Sequence, residues 1–206
     1  DGGDGPDDHI AFISSRGEVA VYAGDDPTSA SRFQLVGVFE MGAPIGRRCL
    51  LKLGGDLVVI SIDGVLPLSK ALVTDRAAAL KASISANIQP TLNAAARNFR
   101  DEFGWQLIGY PLGTSAILNV PSLENESQLQ YAMNTVTGAW CRFLGMNANC
   151  WEVFKDRLYF GNNAGVVMLA DNGADDNGTA ILADMSTAFN GLDQPELIKQ
   201  FVMARP

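Results

Sequence analysis

The sequence predicts an all-β chain: a partial β-propeller of about four blades with one helical insertion near residues 75–99. Three observations point there. A strand–turn–strand pattern centred on glycine recurs along the chain. Its recurrence lies near the length of a propeller blade. Only one stretch, rich in alanine, breaks the pattern. The competing architecture is a β-sandwich, which is also built from short strands with regular turns.

The first copy is IAFISSRGEVAVY, Ile10 to Tyr22, turning at Gly17. The second is LVVISIDGVLPLS, Leu57 to Ser69, turning at Gly64, and the third is LYFGNNAGVVMLA, Leu158 to Ala170, turning at Gly165. Aligned on the glycines, Phe12, Val59 and Phe160 coincide, as do Val21, Leu68 and Leu169. A fourth copy, YAMNTVTGAWCRF around Gly138, fits more loosely. Glycine supplies the positive φ that tight hairpin turns demand, and Asp63-Gly64 is a strong turn dipeptide. The flanking residues are β-branched or aromatic, as strands prefer.

Further strands are expected at 32–41, 47–53, 104–111, 115–121 and 149–154. A lone hairpin cannot cover both of its faces, so the copies must stack. Residues 74–99 differ. Thr74 or Asp75 is placed to cap a helix, and Ala77, Leu80, Ile84 and Ile88 recur at helical spacing. Pro90 should stop or kink that helix, with a second short one over Leu92–Phe99. The insertion is either a packing arm on its own domain or a docking element for another subunit.

The 206 residues are 47% apolar, enough to bury a real core in a single domain spanning 1–206. The chain opens without Met on DGGDGPDD and closes on FVMARP, and both ends read as breaks in a longer protein. Fifteen basic against 23 acidic residues give a net charge of −8. That balance argues against gripping nucleic acid by phosphate neutralisation. The basic residues form only short pairs such as Arg47-Arg48. No apolar run is long enough for a membrane-spanning helix, so no membrane partner is expected. Three cysteines, Cys49, Cys141 and Cys150, do not make a disulfide framework, although the last two are close enough in sequence to approach. One histidine makes a Cys/His zinc site improbable, and buried free thiols are the simpler reading.

Signs of catalysis are sparse. His9 stands at the edge of a strand in a Gly-rich acidic lead, a poor place from which to build a nucleophile triad. No phosphate loop, nucleophile elbow or zinc-protease helix occurs. Asp56, Asp63, Glu102 and Glu152 are the carboxylates that folding would have to pair for glycosidase chemistry. Asp171, Asp175 and Asp176 offer oxygen ligands for calcium, but lack an EF-hand's closing acidic residue and read as a solvated turn. Trp140 follows a turn that resembles, poorly, the Asp-box hairpin of sialidase-like propellers. Trp105, Trp140 and Trp151 are better read as packing between blades. Val21–Ser31 is a turn loop by composition, its acidic residues disfavouring phosphate. No catalytic, cofactor or metal residue is therefore assigned.

Four stretches carry a resemblance: GEVAVYAGDDP (17–27), PIGRRCLLKLGGDLVVISIDGVLPLSKAL (44–72), MNTVTGAWCRFLGMNANCWEVFKDRLYFGNNAGVV (133–167) and DNGTAI (176–181). Together they resemble structural proteins of tailed bacteriophages or prophages. Among these the resemblance is to the β-propeller hub or nozzle proteins of short tails, also called packaged-DNA stabilisation proteins. The resemblance implies a non-enzymatic virion component, made in the bacterial cytoplasm and partnered by tail and portal proteins. It implies a homo-oligomeric ring around the DNA exit channel and no sequence-specific contact with nucleic acid. An acidic wall would let DNA slide. It brings no catalytic residues. The alternative class is a carbohydrate-binding or glycosidase-like propeller, which needs an aromatic cleft with two carboxylates. A third is a bacterial scaffold propeller that binds peptides on its flat face.

Overall fold

Among the described residues thirteen strands fall into four small antiparallel sheets, with one short helical segment between the second and third. The computed structural model describes residues 9–72, 76–123, 126–176, 178–183 and 198. One compact unit ends at Asp171, and a second begins at Asn172. All the strands lie in the first.

The first sheet holds β1 (His9–Ile13), β2 (Glu18–Gly24) and β3 (Phe33–Glu40). The second holds β4 (Leu50–Leu53), β5 (Asp56–Ser61) and β6 (Gly64–Pro67). The third holds β7 (Gln106–Tyr110), β8 (Ser115–Val120), β9 (Leu129–Asn134) and β10 (Trp140–Phe143). The fourth holds β11 (Ala148–Phe154), β12 (Arg157–Asn162) and β13 (Val167–Leu169). Strand order within every sheet follows chain order.

Each glycine-centred copy is an antiparallel hairpin, and each belongs to a different sheet. The turn glycines Gly17, Gly64, Gly138 and Gly165 all adopt positive φ. The loose fit of the copy around Gly138 has a structural reason. It is the last hairpin of a four-stranded sheet, whereas those at Gly64 and Gly165 close three-stranded ones. The described residues form four small sheets rather than the two of a sandwich, and they do not close a propeller ring.

The sheets pack face to face in chain order. Val19 and Val21 of the first meet Val59 and Leu68 of the second region. Val58, Ile60 and Val65 meet Leu107, Leu118 and Tyr131 of the third. Ile117 and Ala132 of the third meet Trp151, Leu158 and Phe160 of the fourth. Because side chains alternate along a strand, Val59 serves one joint while Val58 and Ile60 serve the other. That is why β5 and β8 carry the apolar runs Leu57–Ile60 and Ala116–Leu118: both of their faces are covered. Each fully buried aliphatic contributes about 1.5–3 kcal/mol before entropy is counted.

The first strands of the second, third and fourth sheets are neighbours. Leu107 N donates to Arg48 O just ahead of β4, at 3.2 Å, in a parallel bridge between Arg48 and Gln106. The Gln106 amide then reaches the backbone of Trp151 in β11.

The helical segment departs from expectation. It consists of α1 (Leu68–Ala71), α2 (Arg76–Lys81), a 3₁₀ turn at Ala86–Ile88 and α3 (Gln89–Phe99). The second hairpin therefore ends at Pro67, and Leu68-Ser69 start a helix rather than extend a strand. Asp56 explains the switch. Its Oδ1 accepts from Ser69 N at 3.2 Å and its Oδ2 accepts from Ser69 Oγ at 2.5 Å, supplying the cap that Pro67 lacks. The expected face Ala77–Leu80–Ile84–Ile88 is not one face: Ala77 and Leu80 are exposed, and the helix stops at Lys81. Pro90 does not kink a longer helix. It lies in the first turn of α3, where its missing N–H costs nothing. The expected caps Thr74 and Asp75 lie outside the described residues.

Candidate functional site

Two features stand out once side chains are followed: a row of buried amides between the third and fourth sheets, and an apolar face on the first that no sheet among the described residues covers.

Gln106, Asn119 and Gln130 sit side by side across β7, β8 and β9. All are buried, Asn119 and Gln130 completely. The Asn119 side chain donates from Nδ2 to Gly104 O at 2.8 Å. Its Oδ1 accepts from Gln130 Nε2 at 2.9 Å and from Trp151 Nε1 at 3.0 Å. Gln106 donates to Trp151 O at 2.8 Å and accepts from Trp151 N at 2.9 Å, copying the bonds a strand neighbour would make. The row thus bolts β11 to the third sheet with directional bonds inside an apolar joint, where a missed partner is costly. The Oε1 atoms of Gln128 and Gln130 are buried with no donor among the described residues.

The uncovered face follows from register. Val19 and Val21 point inward, so their neighbours Ala20 and Tyr22 point out. Opposite them stand Phe12 and Ile10 on β1, and Val38 and Leu35 on β3. A bulge at Val21/Tyr22 adds Val36 to the exposed set. Phe12, at 58% exposure, meets Tyr22 edge-on, and Tyr22 stacks on Phe33 at 5.2 Å. Like-charged Glu18 and Glu40 face each other at one end of the face. At the other, Arg32 pairs with Asp25, and this hydrogen bond holds the Asp25 carboxyl below its usual range.

The carboxylates named from sequence do not come together as a catalytic pair. Asp56 caps α1, and Asp63 lies buried in the β5–β6 turn, where its carbonyl accepts from Gln89 Nε2 at 3.0 Å. Glu102 is exposed beyond α3, and Glu152 is exposed on the fourth sheet. His9 opens β1 opposite Ala23. Asp171 accepts from Tyr110 Oη at 3.1 Å in the first unit, whereas Asp175 and Asp176 belong to the second. Asp175 Oδ1 accepts from Gly178 N at 2.9 Å, a turn bond. Among the described residues no cluster of three or more His, Cys, Asp or Glu side chains is placed to hold a metal.

Each tryptophan spans two elements through its indole N–H. Trp105 donates to Phe99 O at 2.8 Å, tying α3 to the core. Trp140 donates to Ile84 O at 2.8 Å, tying β10 to the helical segment. Trp151 joins the fourth sheet to the third. The cysteines are free, with Cys49 buried, Cys150 half-buried and Cys141 exposed. Cys141 and Cys150 lie in different sheets. Burial pushes the Cys49 thiol up.

Sequence reasoning missed the amide row. Its signal was a polar residue at an inward position in three successive strands, and polar residues in strands usually mark the solvent side.

No known family profile matches the chain, and neither does any curated protein.

Proposed function

We propose that the chain is a non-enzymatic structural component of a tailed-phage virion. In this reading it is a partial β-propeller of about four blades, working in the tail or neck around the DNA exit channel with tail and portal proteins. The observation that carries the reading is the architecture: four meandering sheets stacked face to face in chain order, with the first strands of three of them side by side. Blades of a propeller are arranged in that way. The phage-like turn and strand sequences support the virion part of the reading. The use of polar side chains supports the structural part. Asp56, Gln106 and Asn119 are all engaged in caps and joints.

Nothing comparable favours a carbohydrate-active propeller. Trp105 and Trp151 are buried, and Trp140 is partly buried against the helical segment, so no tryptophan offers an open sugar platform. The test is to tag the protein in its phage or prophage and purify particles. The tag is expected at the tail or neck in stoichiometric amounts. Particles that lack it, from a lysate rich in the protein, would refute the proposal.

A further inference from the structure

The tripeptide Asp-Asn-Gly occurs twice in close succession, at Asp171-Asn172-Gly173 and at Asp176-Asn177-Gly178. Asparagine before glycine is open to reaction with its own main chain. The next backbone nitrogen can attack the side-chain carbonyl carbon, and glycine has no Cβ to stand in the way. The two copies are alike in sequence, so any difference between them comes from the fold.

The second copy is clamped. Asp176 N donates to Thr179 O at 2.7 Å, and Thr179 N donates back to Asp176 O at 3.0 Å. Gly178 N, the nitrogen that would attack, donates to Asp175 Oδ1 at 2.9 Å. The first copy is open. Asn172 and Gly173 are exposed and lie in no helix or strand. Neither the Asn172 side chain nor Gly173 N has a hydrogen-bond partner among the described residues. Gly173 has φ +90°, and a Cβ there would meet open space, so a small ring has room to close. Asparagines elsewhere are held: Asn134 and Asn162 each accept two backbone N–H groups on Oδ1. A third Asn-Gly, at 190–191, lies outside the described residues.

We propose that Asn172 is a site of spontaneous deamidation. Gly173 N gives up its proton and bonds to Asn172 Cγ. The Cγ–Nδ2 bond breaks, and ammonia leaves carrying that proton, so a succinimide remains. Water then adds at one of the two ring carbonyls and breaks that carbon's bond to the Gly173 nitrogen. Opening at Cγ gives aspartate. Opening at the main-chain carbonyl gives isoaspartate, whose backbone is longer by one carbon. Nothing is oxidised or reduced, and water is the only co-reactant. Either product places a new carboxylate beside Asp171, at the first residue of the second compact unit. Charge at this point of the chain therefore changes with the age of the protein. This inference goes beyond the virion reading and does not depend on it.

The experiment ages the whole chain in mildly alkaline buffer, digests it at acid pH and reads each site by tandem mass spectrometry. Asn172 is expected to gain about 1 Da several-fold faster than Asn177. Asp175→Ala, at an exposed position, removes the acceptor that holds Gly178 N and should bring Asn177 up toward the Asn172 rate. Asn172→Gln should stop the gain at that position, because the larger ring closes far more slowly. In the urea-unfolded chain the two sites should draw level. An Asn172 that keeps its mass, or an Asn177 that reacts as fast in the folded chain, would overturn the proposal. So would a ranking that persists in urea, since sequence rather than fold would then set it.

Discussion

Replacing Asn119 with alanine is the sharpest probe of the joint between the third and fourth sheets. Asn119 is fully buried and makes three hydrogen bonds. Truncation strands the Trp151 indole N–H, one Gln130 N–H and the Gly104 carbonyl. A buried group left without its partner costs about 1–3 kcal/mol. With partial relaxation the three together should cost about 3–6 kcal/mol. Domains of this size are stable by only about 5–15 kcal/mol, so the loss is a large share of the whole. Urea unfolding, followed by tryptophan fluorescence and far-UV circular dichroism, should show a lower midpoint with an unchanged slope. A double-mutant cycle with Trp151→Phe isolates the indole bond, and the pair should couple by about 1–2 kcal/mol. A single-mutant loss below about 1 kcal/mol, or costs that simply add, would refute the claim that this amide row holds the joint.

Other outcomes follow from the same geometry. Gly64→Ala should destabilise far more than Gly165→Ala in thermal melts. Both have positive φ, but a Cβ at Gly64 would sit 2.5 Å from Gln89 Oε1 while one at Gly165 meets open space. The second change should therefore cost only about 1–2 kcal/mol, and equal losses would contradict the structure. A thiol reagent should label Cys141 at once, Cys150 more slowly and Cys49 only as the chain opens, read by mass spectrometry over time. Stability should fall in alkali. Burial raises the folded pKa of Cys49 above 9.0 and of Tyr131 above 10.0, so their contribution is intact below those values and is lost as pH climbs through the folded ones. Urea midpoints for the parent and Tyr131→Phe across that range check the sign, since the variant should lose less.

The strands were legible because burial on both faces writes itself into sequence as apolar runs, and hairpin turns need glycine. Every strand expected between residues 10 and 170 forms, and the positive φ at all four turn glycines is the reason the copies could be aligned. What was not legible depends on contacts distant in the chain. The α1 helix exists because Asp56, thirteen residues away, caps Ser69. The break between α2 and α3 exists because Ser83 and Ser85 prefer the edge of β6. Ser83 Oγ donates to Val65 O at 3.0 Å, and Ser85 Oγ accepts from Val65 N at 3.0 Å. Helical periodicity carries no trace of such a competing partner. The amide row was invisible for the same reason: a buried polar residue is known only by what it bonds.

These contacts also account for the sheet edges. A docking element for another subunit was one of two readings of the helical segment, beside a packing arm on its own domain. The helical segment is spent within the fold. Ile84 N donates to Val65 O at 3.1 Å, so residues 83–85 cap the edge of β6, and Trp140 draws the β10 edge onto the same stretch. Leu92, Ala95 and Ala96 of α3 are sunk in the central core. A chain that blunts its sheet edges in this way is protected against strand addition. Reversing the exposed charge on the β10 edge, as in Arg142→Glu, should therefore cost little, below about 0.5 kcal/mol in urea unfolding. A loss comparable to that of Asn119→Ala would mean that this edge is held by more than the Trp140 indole bond.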